Sequence, residues 1–303
     1  MQYEQPLYRP PSEAGSLIIQ ATLGCPHNRC TFCGMYKGKR FHIRPVDDVV
    51  ADLREAREEC GEQVRTLFFA DGNTIVMKTR QLVEILQEAA ELFPHLERMT
   101  SYGSARFVLK KSPEEWRRIR EAGLSRVHMG IETGDAMLLQ RLQKGATPDE
   151  MITAGCRLKE AGLEVSEYIL VGIGGAERTR EHAIESARVL NAIDPDFIRL
   201  RTWVPAPGAP LTEEWAGGRF ELLDPEEWAG GRFELLDPQG ALAETRLLVE
   251  RLDCNALLLS DHVSNFADCN GRLPDDREKM LAQLDTALGR PRSAFRPSVI
   301  EGL

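Results

Sequence analysis

The feature that most constrains this chain's fold is a steady alternation of short apolar runs with helical patterns. Residues 16–22 (SLIIQAT) read as a buried strand and 46–56 (VDDVVADLREA) as a helix. Residues 64–70 are strand-like and lead into 79–92, apolar at Leu82, Ile85, Leu86 and Ala89, the spacing of one helix face. A strand at 99–102 precedes a helix opened by Ser112 as N-cap and Pro113 at its first position. Residues 126–131 precede 136–142 and a second helix capped at Thr147-Pro148; 165–171 precedes 179–193; 197–204 closes the series. Consecutive β-then-α units predict a parallel sheet with right-handed crossovers, rolled into a full or partial barrel.

The first strand runs into Cys25-Pro-His-Asn-Arg-Cys30-Thr-Phe-Cys33, three cysteines in one loop at a strand's carboxyl end. Ligands in α/β folds collect at that edge. Three soft sulfur donors suit iron–sulfur or zinc chemistry. Three thiolates leave one iron of a four-iron cluster open, whereas a structural zinc needs a fourth ligand. His27, Cys60, Cys156, Cys254 and Cys269 are the candidates for that ligand. On spacing alone both metals stand.

The chain is 42% hydrophobic with a net charge of -9, which makes nucleic acid and anionic membrane poor default partners. No apolar run reaches bilayer-spanning length, and the start lacks a basic-then-apolar leader. With clustered thiols, that predicts a reducing cytoplasm. After Pro205-Ala-Pro207-Gly208-Ala-Pro210-Leu211 the pattern changes. Residues 213–225 (EEWAGGRFELLDP) recur without a substitution as 226–238, each copy ending in Asp-Pro, a good helix start. The repeat is read as an insertion in a surface connection, outside the barrel and without a function of its own. The expected organisation is an N-terminal extension (1–15), a core barrel (16–211) and a small α-rich C-terminal extension (212–303). In the extension, 256–259 is a candidate last strand.

The cysteine loop and the strand-end motifs together resemble the radical S-adenosylmethionine (radical SAM) superfamily, in particular its Elp3-like branch. The resemblance covers about residues 16–211 and implies a partial (β/α)6 TIM-like barrel. Cys25, Cys30 and Cys33 would hold a [4Fe-4S] cluster and SAM would bind its open iron. The spacing here is C-x4-C-x2-C, one residue longer in the first gap than the family's usual loop. Phe32 matches the aromatic beside the SAM adenine, or else simply shields the cluster. Asp71-Gly72-Asn73 stands where the family holds the SAM amine, and is also an ordinary turn. His128-Met-Gly-Ile-Glu132-Thr-Gly-Asp135 with Lys144-Gly145 resembles the block whose Glu binds ribose or the methionyl ammonium. The alternative for Glu132 is a cap on the following helix. Gly172, Ile173 and Gly174 resemble the segment that lies against adenine.

The resemblance further implies reductive SAM cleavage to a 5′-deoxyadenosyl radical and abstraction of hydrogen from a substrate C–H bond. A flavodoxin or ferredoxin would supply the electron, and the basic run Lys37-Gly-Lys39-Arg40 is a candidate docking face for it. A small-molecule or peptide substrate is expected over tRNA. Asp261 and His262 are substrate-side candidates. The two competing readings are a zinc-stabilised binding protein without turnover and an RNA-modifying radical SAM enzyme.

Overall fold

The computed structural model describes residues 3–216 and 234–296. Its main strands are β1 (Leu17–Gln20), β2 (Thr66–Ala70), β3 (Arg98–Gly103), β4 (Leu124–Glu132), β5 (Glu164–Val171), β6 (Phe197–Thr202), β7 (Leu257–Leu259) and β8 (Gly271–Arg272), paired in chain order in a mainly parallel sheet. The α/β class expected from the alternation is therefore what the chain adopts. The longer helices are α1 (Val46–Cys60), α2 (Thr79–Leu92), α3 (Pro113–Glu121), α4 (Ala136–Arg141), α5 (Pro148–Glu160), α6 (Thr179–Ile193), α7 (Pro210–Ala216), α8 (Pro238–Arg251) and α9 (Arg277–Leu288).

Local chemistry sets these boundaries. Helix α2 buries Leu82, Ile85, Leu86 and Ala89, the stripe its spacing predicts. At α3, Ser112 and Glu115 form a reciprocal capping box with Pro113 inside it. Thr147 and Glu150 exchange the same pair of bonds ahead of α5. Asp237 caps α8 by accepting from the Gly240 N–H, so the Asp-Pro that ends the second repeat copy does start a helix. Most of the repeat, residues 217–233, lies outside the described residues.

The chain divides into two compact units. The first comprises Met1–Asn28, Met35–Met129 and Thr153–Val165. In it β1 pairs in parallel with β2 from Leu17↔Leu67 to Gln20↔Ala70, and β2 with β3 from Thr66↔Arg98. The N-terminal stretch packs on these strands, Tyr3 and Leu7, like Tyr102, lying against the cluster of Ile18, Phe68 and Ala70. Glu13 is fully buried there between Ser16, Arg98 and His128. Burial works against its charge, but the bonds from His128 and Ser16 and the nearby cations prevail and hold its pKa at about 2.

The second unit comprises Arg29–Gly34, Gly130–Ile152 and Ser166–Leu303. Here β5 pairs with β6 (Ser166↔Phe197 to Val171↔Thr202), and β7 extends the parallel run (Phe197↔Leu257), with β8 antiparallel to it. The candidate strand at 256–259 is thus real. The C-terminal segment supplies two strands as well as helices. Leu138, Leu142, Ile173, Trp203 and Leu211 form a core cluster at this unit's strand ends.

Candidate functional site

In the first unit the site is built around Asp71. Its backbone is left-handed (φ 66°), a conformation that costs a non-glycine residue free energy. Its buried carboxylate accepts from the Gly24 N–H at 2.7 Å, from Gln20 Nε2 at 3.3 Å and from Lys39 Nζ at 3.1 Å. The acid after β2 therefore fixes the residue before Cys25. Gly72 is required by the same loop: a Cβ there would sit 2.8 Å from the Cβ of Cys25. Asn73 donates to Ser104 Oγ, and its buried Oδ1 has no partner. Lys39 is spent on Asp71 and Glu4, and Lys37 donates to the Asn28 carbonyl, so of this basic run only Arg40 is left fully exposed.

In the second unit the loop carrying Cys30, Phe32 and Cys33 is clamped by backbone bonds. The Thr31 N–H donates to the Leu142 carbonyl, and the Thr31 carbonyl accepts from the Leu211 N–H. Phe32 packs on the strand-end core cluster. Over its ring, 5.5 Å from the centroid, lies Nζ of Lys144, which is also 2.9 Å from Oε1 of Glu132. Burial lowers the Lys144 pKa, but the Glu132 carboxylate and the sulfurs of Cys30 and Cys33 outweigh it and leave it raised. Lys144 is thus held as a cation over the aromatic ring of the cysteine loop. Glu132 also has a left-handed backbone (φ 64°). It does not cap α4: Asp135 does, accepting from the Met137 and Leu138 N–H groups.

The Gly-rich segment after β5 is held from outside the motif. Gly172 (φ 81°) donates its N–H to Glu244 Oε1 of α8 at 2.7 Å, and Thr179 Oγ1 donates to Oε2. His182 Nε2 lies 3.4 Å from the same carboxyl and Nδ1 2.8 Å from Thr133 Oγ1. Burial pushes Glu244 up to about 8 and His182 down to about 4, so both are neutral at pH 7. Ile173 is fully buried, and a Cβ on Gly174 would crowd Leu138 Cδ1 at 3.1 Å. The end of the repeat lies on this segment: the Ala176 N–H donates to the Glu234 carbonyl, and Leu236 stands over Gly172. The repeat's last residues are accordingly neighbours of the Gly-rich segment.

Sequence reading missed Glu167, Glu244 and His182, and quoted Lys144 without giving it a task. Glu167 had a signal, a lone acid inside an apolar strand. It is fully buried, neither oxygen has a hydrogen bond among the described residues, and burial raises its pKa well above the usual range, with Lys144 opposing and Glu132 adding. Of the substrate-side candidates, Asp261 is exposed. His262 is half-buried and accepts at Nδ1 from the Ser264 N–H. Burial and the Arg201 cation lower its pKa to about 4. Cys254 and Cys269 are buried thiols whose pKa burial raises to about 11; Cys60 is exposed at the end of α1.

The family model for the radical SAM superfamily matches residues 19–187, more than half of the chain. The chain belongs to that superfamily, whose members use a [4Fe-4S] cluster and SAM. Among curated proteins it is 25% identical over 201 residues to an uncharacterized methyltransferase of Pyrococcus horikoshii, covering 65% of this chain and 41% of that one. The chain spans less than half the length of the first curated relatives it matches. Its fold is that of the radical SAM methyltransferase TsrM of Kitasatospora setae, solved with cobalamin and a [4Fe-4S] cluster. There the TM-score is 0.58 at 18% identity, over 91% of this chain and 62% of that one. An archaeal Elp3, from Methanocaldococcus infernus, shares the fold at TM-score 0.50 and 15% identity, over 71% and 52% of the two chains. The Elp3-like resemblance of the motifs thus has a structural counterpart, alongside other branches. Among the described residues no helix is long and apolar enough to cross a membrane.

Proposed function

We propose that this chain binds a [4Fe-4S] cluster through Cys25, Cys30 and Cys33 and uses it to cleave SAM reductively for C–H activation on a small-molecule or peptide substrate. The observation that carries the reading is the mostly buried Lys144–Glu132 ion pair standing over the Phe32 ring of the cysteine loop, in a chain of this superfamily. The donor set fits the group: three half-buried thiols on one short loop. Among the described residues no group of three or more His, Cys, Asp or Glu could hold a metal ion. A four-iron cluster takes one thiolate per iron, so its ligands ring a volume and do not meet at a point.

Held by Cys25, Cys30 and Cys33, a reduced cluster would supply the single electron that reductive cleavage of SAM requires, and the cleaved cofactor the means of C–H activation. The protein's own part is positioning. Asp71 and Gly72 fix the stem of the cysteine loop. Glu132 offers a carboxylate to a ribose hydroxyl or to the methionyl ammonium, with Lys144 holding it in place. Phe32 and the backbone of Gly172, Ile173 and Gly174 form an apolar, glycine-opened wall for the adenine, and Asn73 offers an unpaired carbonyl oxygen. Packing of Phe32 and Ile173 into the strand-end core keeps water from that wall.

A flavodoxin- or ferredoxin-type donor and a cytoplasmic setting suit this chemistry. The methyltransferase relatives favour a transferase outcome for the radical. Anaerobically reconstituted protein should be brown, carry about four irons per chain and form 5′-deoxyadenosine only with a strong reductant such as dithionite. Colourless protein holding one zinc per chain would overturn the reading.

A further inference from the structure

The paired strands β5 and β6 carry an arrangement that the cofactor site does not use. The register sets Tyr168 opposite Arg199 and Leu170 opposite Arg201. Because side chains alternate across a sheet, Ser166, Tyr168, Leu170, Phe197, Arg199 and Arg201 share one face. Arg201 confirms it, its guanidinium lying 5.1 Å from the centre of the Tyr168 ring. Arg199 is only 8% exposed, and among the described residues its Nε has no hydrogen-bond partner; the buried Ser166 Oγ has none there either. Among the described residues no carboxylate forms an ion pair with Arg199 or Arg201.

A guanidinium cannot shed its charge, and burying one without an anion is costly. Surface arginines need no explanation, but a buried unpaired one beside a second arginine does. The loop that follows β7 reaches this edge of the sheet, Ser264 and Asn265 accepting from the Thr202 N–H next to Arg201. On the same loop His262 is neutral; its Nδ1 accepts from the Ser264 N–H, and its Nε2 therefore carries a proton to donate. Arg296, the other cation acting on His262, is bonded to the Val263 carbonyl. Asp261, the one acid acting on His262, is solvent-exposed. Two planar forks and a hydroxyl without an acid of their own match a group with two anionic oxygens.

We propose that Arg199 and Arg201, with Ser166 and His262, form a subsite for a carboxylate of the substrate. The proposal rests on the reading of the chain as a SAM-cleaving enzyme with a small-molecule or peptide substrate, and names one group that substrate carries. An anion bound there relieves the cost of burying the Arg199 charge without a counter-ion.

The test uses the full reconstituted chain and sodium succinate as probe, against sodium chloride at equal ionic strength. Succinate should raise the melting temperature saturably and chloride should not. Arg199→Met should abolish the succinate effect and melt no lower than wild type without it, because it removes a buried, unpaired charge. Should that variant fail to fold, Arg199→Lys keeps the charge but not the fork, and should bind succinate about tenfold or more weakly. SAM affinity should be the same in wild type and variant. Equal melting in succinate and chloride overturns the proposal, as does a tenfold loss of SAM affinity in the variant, which would hand the arginines to the SAM carboxylate. Failure of wild type to make 5′-deoxyadenosine would instead strike the underlying reading, whatever succinate does.

Discussion

Lys144 Nζ and Glu132 Oε1 stand 2.9 Å apart in a largely buried ion pair, folded back over Gly130, where a Cβ would fall on the Glu132 carboxylate as it is placed. Sequence, local geometry and electrostatics converge here: a glycine two residues before the strand's end, a left-handed Glu and a lysine on the loop after α4. Neither charge is solvated enough to lose its partner without consequence.

Glu132→Gln keeps the shape and removes the charge. SAM affinity should fall about tenfold, the worth of a charge-assisted hydrogen bond, while iron content stays at the wild-type level. Melting temperature should fall as well, because Lys144 stays buried without its counter-ion. Isothermal titration of SAM beside melting curves checks both. Lower melting with unchanged SAM affinity would make the pair purely structural.

Asp71→Ala removes the acceptor of the Gly24 N–H and of Lys39. The stem of the cysteine loop then loses its anchor, and more than half of the bound iron should be lost in anaerobic reconstitution. Lys39→Met should show a milder loss for the same reason, whereas reversal of exposed Arg40 should leave iron untouched and slow only reduction by flavodoxin. Full iron in Asp71→Ala would contradict the anchoring role.

The Glu244–His182 pair gives stability a pH signature. Glu244 is raised from its ordinary 4.5 to about 8, and His182 is lowered from 6.5 to about 4. Between about 4.5 and 6.5 the unfolded chain has lost the Glu244 proton and gained one on His182, so the two slopes oppose. From about 6.5 to 8 only Glu244 differs: the folded state holds a proton that the unfolded state has released. Stability should therefore decline there, approaching about 1.4 kcal/mol per pH unit. Urea titrations of wild type and Glu244→Gln across that range isolate the term, since Gln can still accept from Gly172 and pair with Thr179. Parallel profiles would show that Glu244 ionises at its ordinary pKa.

Deleting residues 217–229 leaves one complete copy of the 13-residue unit, and every described contact of the repeat survives in the product. Glu214 on Arg141, Trp215 in the core cluster, Glu234 on Ala176 and Asp237 at the α8 cap all keep their places in sequence. Melting temperature and SAM affinity should be unchanged. Leu236→Asp, by contrast, puts a charge against Gly172 and should weaken both.

Much of the fold was legible in the sequence because its signals are local. The stripe of α2, the Ser112-Pro113 start of α3 and the Asp-Pro start of α8 each depend on residues within a few positions of one another. The cysteine loop and Glu132 were visible for the same reason. What escaped were bonds between distant segments, such as Gly172 to Glu244 and Asp71 to Gly24. No spacing rule encodes these, because tertiary packing alone decides which buried acid meets which N–H. Gly72 shows the other limit. The glycine was noticed, but its cause, contact with Cys25, appears only once the loop is folded.

The most direct test compares Cys30→Ala with Cys254→Ala after anaerobic reconstitution, measuring iron per chain and dithionite-dependent 5′-deoxyadenosine on the same samples. Cys254 is a buried packing thiol, so its variant should keep wild-type iron and turnover per folded molecule. Cys30→Ala should lose the four-iron cluster and all SAM cleavage while retaining the fold. Wild-type iron and undiminished 5′-deoxyadenosine in Cys30→Ala would contradict the assignment of the cysteine loop as the seat of the cluster.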